Sequence, residues 1–274
     1  MCRHFCYLGE PVPLSELLLD PAHSLLVQSF APKDMRGGGS VNADGFGIGW
    51  FRDTATGGSA AARYRRAVPI WQDAGLADLA AGTSATAVLA AVRNATAGMP
   101  VTETATAPFT DGRWLFSMNG RIAGWPGAAV PLADSLPRVD LLTLDAPTDA
   151  ALLWAVLRRR LAIEGTEPAE VLGNLVAQVL ASAPDSRLNL LLTDGRRGYA
   201  STVTHSLWSR SSATGVLLAS EPFDDDDGWQ PIADGQLVVA DRCEVTVRPL
   251  PRSAVPADRI SDTRRESECN VDQR

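Results

Sequence analysis

The chain has 274 residues, 45% of them hydrophobic and 21% charged, a composition that can bury a sizeable core and excludes a disordered or collagen-like chain. Its 25 Lys and Arg against 32 Asp and Glu give a net charge of −7, so no overall attraction draws it to nucleic acid or to an anionic membrane as a partner. The longest strictly apolar run, Ala150 to Leu157, is too short to cross a bilayer, and the first residues lack the basic and then apolar order of an export signal, so a cytoplasmic protein is expected.

The first 125 residues read as short strands joined by turns. Arg3 to Gly9 is the first strand, and Ser24 to Phe30 reads as a short helix stopped by Pro32. Phe46 to Arg52, Arg63 to Val68, Ala87 to Arg93 and Trp114 to Met118 read as further strands, punctuated by Gly37 to Gly39 and by Asp111-Gly112. Two helices follow. Thr148 can cap the first, Asp149 sits in its positive first turn, Leu153, Leu157 and Leu161 recur four apart, and Arg158 to Arg160 lie near its negative end. Pro168 starts the second, with an apolar stripe of Val171, Leu172, Leu175, Val176, Val179 and Leu180. After Pro184, the segments Leu188 to Leu192, Gly198 to Val203, Gly215 to Ala219, Leu237 to Val239 and Val245 to Val247 fit a meander, with Asp194-Gly195 as a hairpin turn. Strands, two helices and strands again predict an α+β fold, with layers of antiparallel sheet and helices packed outside. One domain over residues 2–251 is expected, then a floppy tail over 252–274 with ten charged residues and no period.

Only four cysteines, at 2, 6, 243 and 269, do not make a disulfide framework in a chain this long. Cys2 carries the first chemical reading. Trimming of Met1 leaves a thiol and a free α-amine on one residue. With reference pKa values of about 7.7–8.0 for the amine and about 8.5 for the thiol, the amine can take the proton of its own thiol. A metal reading competes, because residues 2, 4 and 6 of a strand share a face and Cys2, His4 and Cys6 can present three ligands. A structural zinc ion needs a fourth, for which Cys243 and His23 are isolated candidates, and core packing of Cys6 is the plainer alternative.

The run from Gly37 to Trp50 is no phosphate cradle, since it has no Gly-Lys-Ser/Thr end and a strand follows it. Glycines at 45, 47 and 49 leave one strand face bare, so that something can approach the backbone closely. Arg93 to Gly98 is a polar cluster ending an apolar strand, where Arg93 can grip a carboxylate with two prongs or form a surface ion pair. Asn119-Gly120 reads by itself as a hairpin turn; the functional alternative is an oxyanion hole built from the Asn119 amide and the Gly120 N–H. Asp224 to Asp227 reads as a solvated loop.

In order, Cys2, Asn42-Ala43-Asp44-Gly45-Phe46-Gly47, Arg93-Asn94-Ala95-Thr96, Asn119-Gly120 and Thr148-Asp149 resemble the class II glutamine amidotransferases, which are N-terminal-nucleophile hydrolases. More narrowly, Met1-Cys2-Arg3-His4, Val27 to Pro32, Ala95 to Pro100 and Ala107-Pro108-Phe109 look like the γ-glutamyl amidohydrolase family of ergothioneine biosynthesis. The resemblance covers about residues 1–250. It implies a four-layer αββα sandwich with two stacked antiparallel sheets. It implies Cys2 as nucleophile with its α-amine as base, Asn119 and Gly120 as oxyanion hole, Arg93 on the α-carboxylate and Asp149 on the α-ammonium of a γ-glutamyl group, and Thr96 supporting the carboxylate site. The substrate would be a small γ-glutamyl amide, with no metal or organic cofactor and no obligatory synthase domain. Met118, Asn94 and the Gly37 to Val41 segment depart from the family pattern, which puts the amine half of the substrate in question.

Overall fold

The computed structural model describes residues 2–36, 41–53 and 58–251. The Gly37 to Gly39 turn and the charged tail expected from the sequence lie outside the described residues.

Among the described residues, thirteen strands form two sheets. They are β1 (Arg3–Pro13), β2 (Phe46–Asp53), β3 (Ser59–Arg66), β4 (Ser84–Val92), β5 (Phe109–Thr110), β6 (Leu115–Arg121), β7 (Arg187–Thr193), β8 (Gly198–Ser201), β9 (Trp208–Ser212), β10 (Gly215–Ala219), β11 (Gln230–Pro231), β12 (Gln236–Ala240) and β13 (Val245–Pro249). One sheet runs β11-β9-β10-β1-β4-β2-β3 and the other β13-β12-β8-β7-β6-β5, with antiparallel pairing throughout. The α-helices that flank them are α1 (Ser15–Leu18), α2 (Leu25–Phe30), α3 (Leu76–Gly82), α4 (Val130–Ala133), α5 (Arg138–Leu142), α6 (Asp149–Leu161) and α7 (Pro168–Ser182).

Side-chain alternation along the strands builds three cores. Phe5 and Tyr7 of β1 turn outward onto Leu17, Leu25 and Leu76 from α1, α2 and α3. Cys6 and Leu8 of the same strand turn inward, against Leu191, Ala200 and Val238 of the other sheet. On the second sheet, Leu115 points inward while Phe116 and Met118 meet Trp154, Leu153 and Leu157 of α6 and Leu172 and Val176 of α7. The layers are therefore helix, sheet, sheet, helix, which is the αββα sandwich that the sequence resemblance implies.

Local signals account for the main boundaries. Ser24 caps α2 by accepting from the Val27 N–H, Thr148 caps α6 by accepting from the Ala151 N–H, and Pro168 occupies the first turn of α7. The Asp194 carboxylate accepts from the N–H groups of Arg196 and Arg197 and closes the β7–β8 hairpin. Two expectations are corrected. The strands after Pro184 are not one meander: β9, β10 and β11 cross to the first sheet, where β10 pairs with β1. Asn119-Gly120 is not a hairpin turn; both residues lie inside β6, paired with Asn189 and Leu188 of β7.

The bare face of β2 is filled by the chain itself. A Cβ on Gly47 would collide with the carbonyl oxygen of Ala107, so glycine there lets the 105–109 segment lie flat against the sheet end. The acidic run is also held: Asp224 accepts from Trp229 Nε1 and pairs with Arg210, which also meets Asp226. No helix of the described residues is long and apolar enough to cross a membrane.

Candidate active site

At one end of the two sheets lies an open cleft. Cys2, Arg93, Thr96, Gly120 and Asp149 all line it, with Asn94, Met99, Ala105 to Ala107 and Met118 completing the wall. Four parts of the fold converge to build it. Cys2 leads into β1, Arg93 follows β4 on the adjacent strand, Gly120 is the last residue but one of β6 on the other sheet, and Asp149 opens α6.

Cys2 is half-buried, with Sγ 3.8 Å from the carbonyl oxygen of Asn94. Its own carbonyl accepts from Arg3 Nη1 at 3.0 Å. Of the three described cysteines, Cys2 is the one in the cleft. Cys6 is enclosed between the sheets, where burial pushes its thiol up to about 12, and Cys243 is exposed on the turn before β13.

Arg93 is framed by the Asn42 to Gly47 motif. The Asp44 N–H donates to the Arg93 carbonyl, the Arg93 N–H donates to the Gly45 carbonyl, and the Asp44 carboxylate accepts from the Ala95 N–H. Arg93 Nη1 donates to the Pro100 carbonyl at 2.8 Å, which anchors the guanidinium at the cleft wall. Across the cleft, Asp149 is 7% exposed. Burial raises its carboxyl above the ordinary value, opposed by N–H donors from Ile122 and Ala150 at 2.9 Å and by the Arg93 charge. The cleft thus brings one cation and one buried carboxyl group together.

Thr96 is exposed at the rim, in a turn closed by the Met99 N–H on the Thr96 carbonyl. Gly120 has φ +149°, and a Cβ there would collide with the Arg187 carbonyl oxygen, so this position favours glycine. Asn119 is buried behind Gly120 and does not itself line the cleft; its amide oxygen has no hydrogen-bond partner.

The zinc arrangement does not assemble. Cys2, His4 and Cys6 do alternate along the chain toward the inter-sheet side, but His4 Nδ1 lies 3.0 Å from Ser117 Oγ and Cys6 packs among apolar side chains. Among the described residues, no three or more of His, Cys, Asp and Glu converge as a metal ion would need.

The family model of the class II glutamine amidotransferases matches residues 18–211. The chain belongs to the class II glutamine amidotransferases. A curated γ-glutamyl-hercynylcysteine sulfoxide hydrolase of Mycolicibacterium smegmatis is 40% identical over 250 residues, covering 91% of this chain and all of that one. The enzyme of the same description from Mycobacterium tuberculosis is 38% identical over 256 residues, covering 93% of this chain and all of that one. Among solved structures, a class II glutamine aminotransferase domain protein from Silicibacter pomeroyi superposes with a TM-score of 0.65 at 19% identity, over 91% of this chain and all of that one. The glutamine phosphoribosylpyrophosphate amidotransferase of B. subtilis superposes with a TM-score of 0.62 at 12% identity, over 92% of this chain and half of that one. These two amidotransferases share the fold.

Sequence reasoning missed several wall residues of the cleft. Ala105 and Thr106 carry no local signal, and Ala107 stands only within a family motif; Gly45, just before β2, and Gly47 within it let the Thr106–Ala107 segment lie close. Arg3 stands in the Met1-Cys2-Arg3-His4 motif with no local sign of a role, yet it grips the Cys2 carbonyl.

Proposed function

We propose that this amidotransferase-family enzyme hydrolyses a γ-glutamyl amide and releases glutamate, with γ-glutamyl-hercynylcysteine sulfoxide as its substrate. The observation that carries the reading is the meeting of Cys2, Arg93, Gly120 and Asp149 around one cleft. The near-complete coverage of relatives with that activity supports the choice of substrate. The catalytic domain is residues 2–251, and a reduced cytoplasmic setting suits a nucleophilic thiol.

The far end of a γ-glutamyl group carries a carboxylate and an ammonium. Arg93, supported by Thr96, takes the carboxylate, and Asp149 takes the ammonium. Both contacts hold the γ-carbonyl over Cys2. With Met1 removed, the Cys2 amine accepts the thiol proton as sulfur attacks the carbonyl carbon. The oxyanion is held by the Gly120 N–H and the Asn119 amide, whose nitrogen would have to reach the cleft edge. The C–N bond then breaks, the Cys2 ammonium protonates the departing amine, and a glutamyl thioester remains. Water attacks the thioester, its proton passes to the Cys2 amine, and glutamate leaves with the thiol restored. The apolar wall of Met99, Ala105, Ala107 and Met118 faces the leaving amine.

The deciding experiment compares glutamate release by purified protein from γ-glutamyl-hercynylcysteine sulfoxide, γ-glutamylcysteine and glutamine. The sulfoxide should be consumed with the highest kcat/KM, and Cys2→Ala should abolish turnover while leaving the unfolding midpoint unchanged. Faster release from glutamine would move the chain to a glutaminase-type reaction, and no release from any of the three would end the reading.

A further inference from the structure

Strand pairing places a second charged pair directly beneath the nucleophile. β1 and β10 pair with Phe5 opposite Ala219 and Cys6 opposite Leu218. The His4–Ser220 backbone and side-chain bonds continue that register, which brings Glu221 opposite Arg3. Both are 1% exposed. Arg3 lies on the outer, helix side of the sheet with Phe5, whereas Cys2 lies on the cleft side.

We propose that Arg3 and Glu221 are positioning residues for Cys2, an inference that rests on the amide-hydrolase reading above. Arg3 Nε meets Glu221 Oε1 at 2.6 Å, its Nη1 donates to the Cys2 carbonyl at 3.0 Å, and its Nη2 donates to the Asp34 carbonyl. Glu221 is fully engaged as well. Oε1 also accepts from the Asp34 N–H at 3.1 Å, and Oε2 meets His23 Nε2 at 2.6 Å and accepts from the Lys33 N–H at 2.8 Å. One carboxylate therefore ties the first strand, the segment before α2 and the 33–34 loop to the guanidinium that grips Cys2.

The energetics favour a positioning role over a purely stabilising one. A buried ion pair often does no better for stability than apolar residues of the same volume, because desolvating both charges offsets their attraction. What this pair supplies is orientation. Once Met1 is removed, no preceding residue holds Cys2, and the Sγ contact with Asn94 is long for a hydrogen bond. The Cys2 carbonyl is then the anchor. Reorientation of the Cys2–Arg3 peptide unit, which that grip opposes, would swing the thiol and the amine base together, away from a γ-carbonyl held by Arg93 and Asp149. Displacements of about 1 Å can cost about 100-fold in rate.

The test uses the full chain and three variants: Arg3→Met, Glu221→Gln, and both substitutions together. Glutamate release and thermal unfolding are measured on each. Arg3→Met should lower kcat about 100-fold with KM within about two-fold of the unmodified protein, since the glutamyl contacts are untouched. Glu221→Gln keeps the side-chain volume and should lower kcat about ten-fold, again at nearly constant KM. The double variant removes both charges, so its unfolding midpoint should recover above that of Arg3→Met while its kcat stays as low. Recovery of kcat together with stability would show that the pair serves folding alone and would overturn the proposal. So would a rise in KM at constant kcat, or an undiminished kcat in Glu221→Gln. Absence of turnover by the unmodified protein would instead end the hydrolase reading, and this inference with it.

Discussion

The guanidinium of Arg93 and the carboxylate of Asp149 share one cleft and feel each other's charge, although Arg93 follows a strand of one sheet and Asp149 opens a helix packed on the other. Stacking the two sheets is what brings them together. Neither half of the sandwich carries both charges, so the pair exists only when the whole domain is folded.

That arrangement gives a direct test of the glutamyl contacts. Arg93→Ala leaves the strand and the cleft in place and removes the cation. A charge-assisted hydrogen bond contributes about 1.5–3 kcal/mol, so KM for the γ-glutamyl substrate should rise about 10- to 100-fold. Steady-state kinetics against substrate concentration checks this. An unchanged KM would take Arg93 out of the carboxylate site.

Asp149 adds a pH dependence. Burial raises its carboxyl above the ordinary value of 3.8, so in the free protein it takes up a proton at a higher pH than an exposed aspartate does. Protonation removes the charge that an ammonium needs. As pH falls, kcat/KM should therefore decline earlier than an unperturbed carboxylate would dictate. The limb in kcat should lie at lower pH, because a bound ammonium favours the ionised form. The two pH profiles, measured on one preparation, distinguish this from a simple acid unfolding, which would move both limbs together.

Much of this architecture was readable from residue order. The cap Thr148, the first-turn Pro168, the alternation along Arg3 to Gly9 and the turn at Asp194-Gly195 act within a few residues of themselves, so the helices and most strands follow locally. Sheet membership did not. Trp208 to Ser212 and Gly215 to Ala219 carry no mark of which sheet they join, because the choice is made by pairing with β1, more than 200 residues earlier. Asn119-Gly120 misled for a related reason. The dipeptide favours a turn in isolation, and seven consecutive pairs between β6 and β7 override it. Cys2 and Arg93 carried chemical readings of their own and Asp149 gained one only through the family resemblance, whereas the Glu221 partner of Arg3 emerges only from strand register.

Gly120 allows a stability effect and a catalytic effect to be separated. Its φ of +149° is strained for any other residue, and an added methyl would meet the Arg187 carbonyl. Gly120→Ala should cost about 1–3 kcal/mol in backbone strain and displace the end of β6. If the Gly120 N–H holds the oxyanion, kcat should also fall about 100-fold or more. Gly112→Ala, in the β5–β6 turn at φ +92° with nothing near the added methyl, serves as the comparison. It should lower the unfolding midpoint and leave kcat unchanged. Equal kcat in the two variants would remove Gly120 from the oxyanion hole.

Two buried histidines, His4 and His205, give stability a dependence on acid. Burial, followed by the mutual effect of His205 and the charge of Arg3, pushes His4 down to about 3. Burial, with Arg187 and Arg3, pushes His205 down to about 4. His4 Nε2 and His205 Nδ1 are buried without hydrogen-bond partners, so nothing inside rewards a second proton on either ring. An unfolded chain protonates its imidazoles near 6.5. Between about 6.5 and 4 the unfolded state thus binds protons that the folded state refuses, and stability falls as pH drops through that window. Each such imidazole contributes a slope of up to about 1.4 kcal/mol per pH unit. Urea unfolding at a series of pH values between about 7 and 5, on the unmodified protein and on His205→Gln, isolates one of the two. The variant should show a shallower loss of stability by about one proton's worth. Parallel curves would mean that His205 is charged in the folded protein, and with it that its surroundings are wetter than the packing around His4 and Ser117 implies.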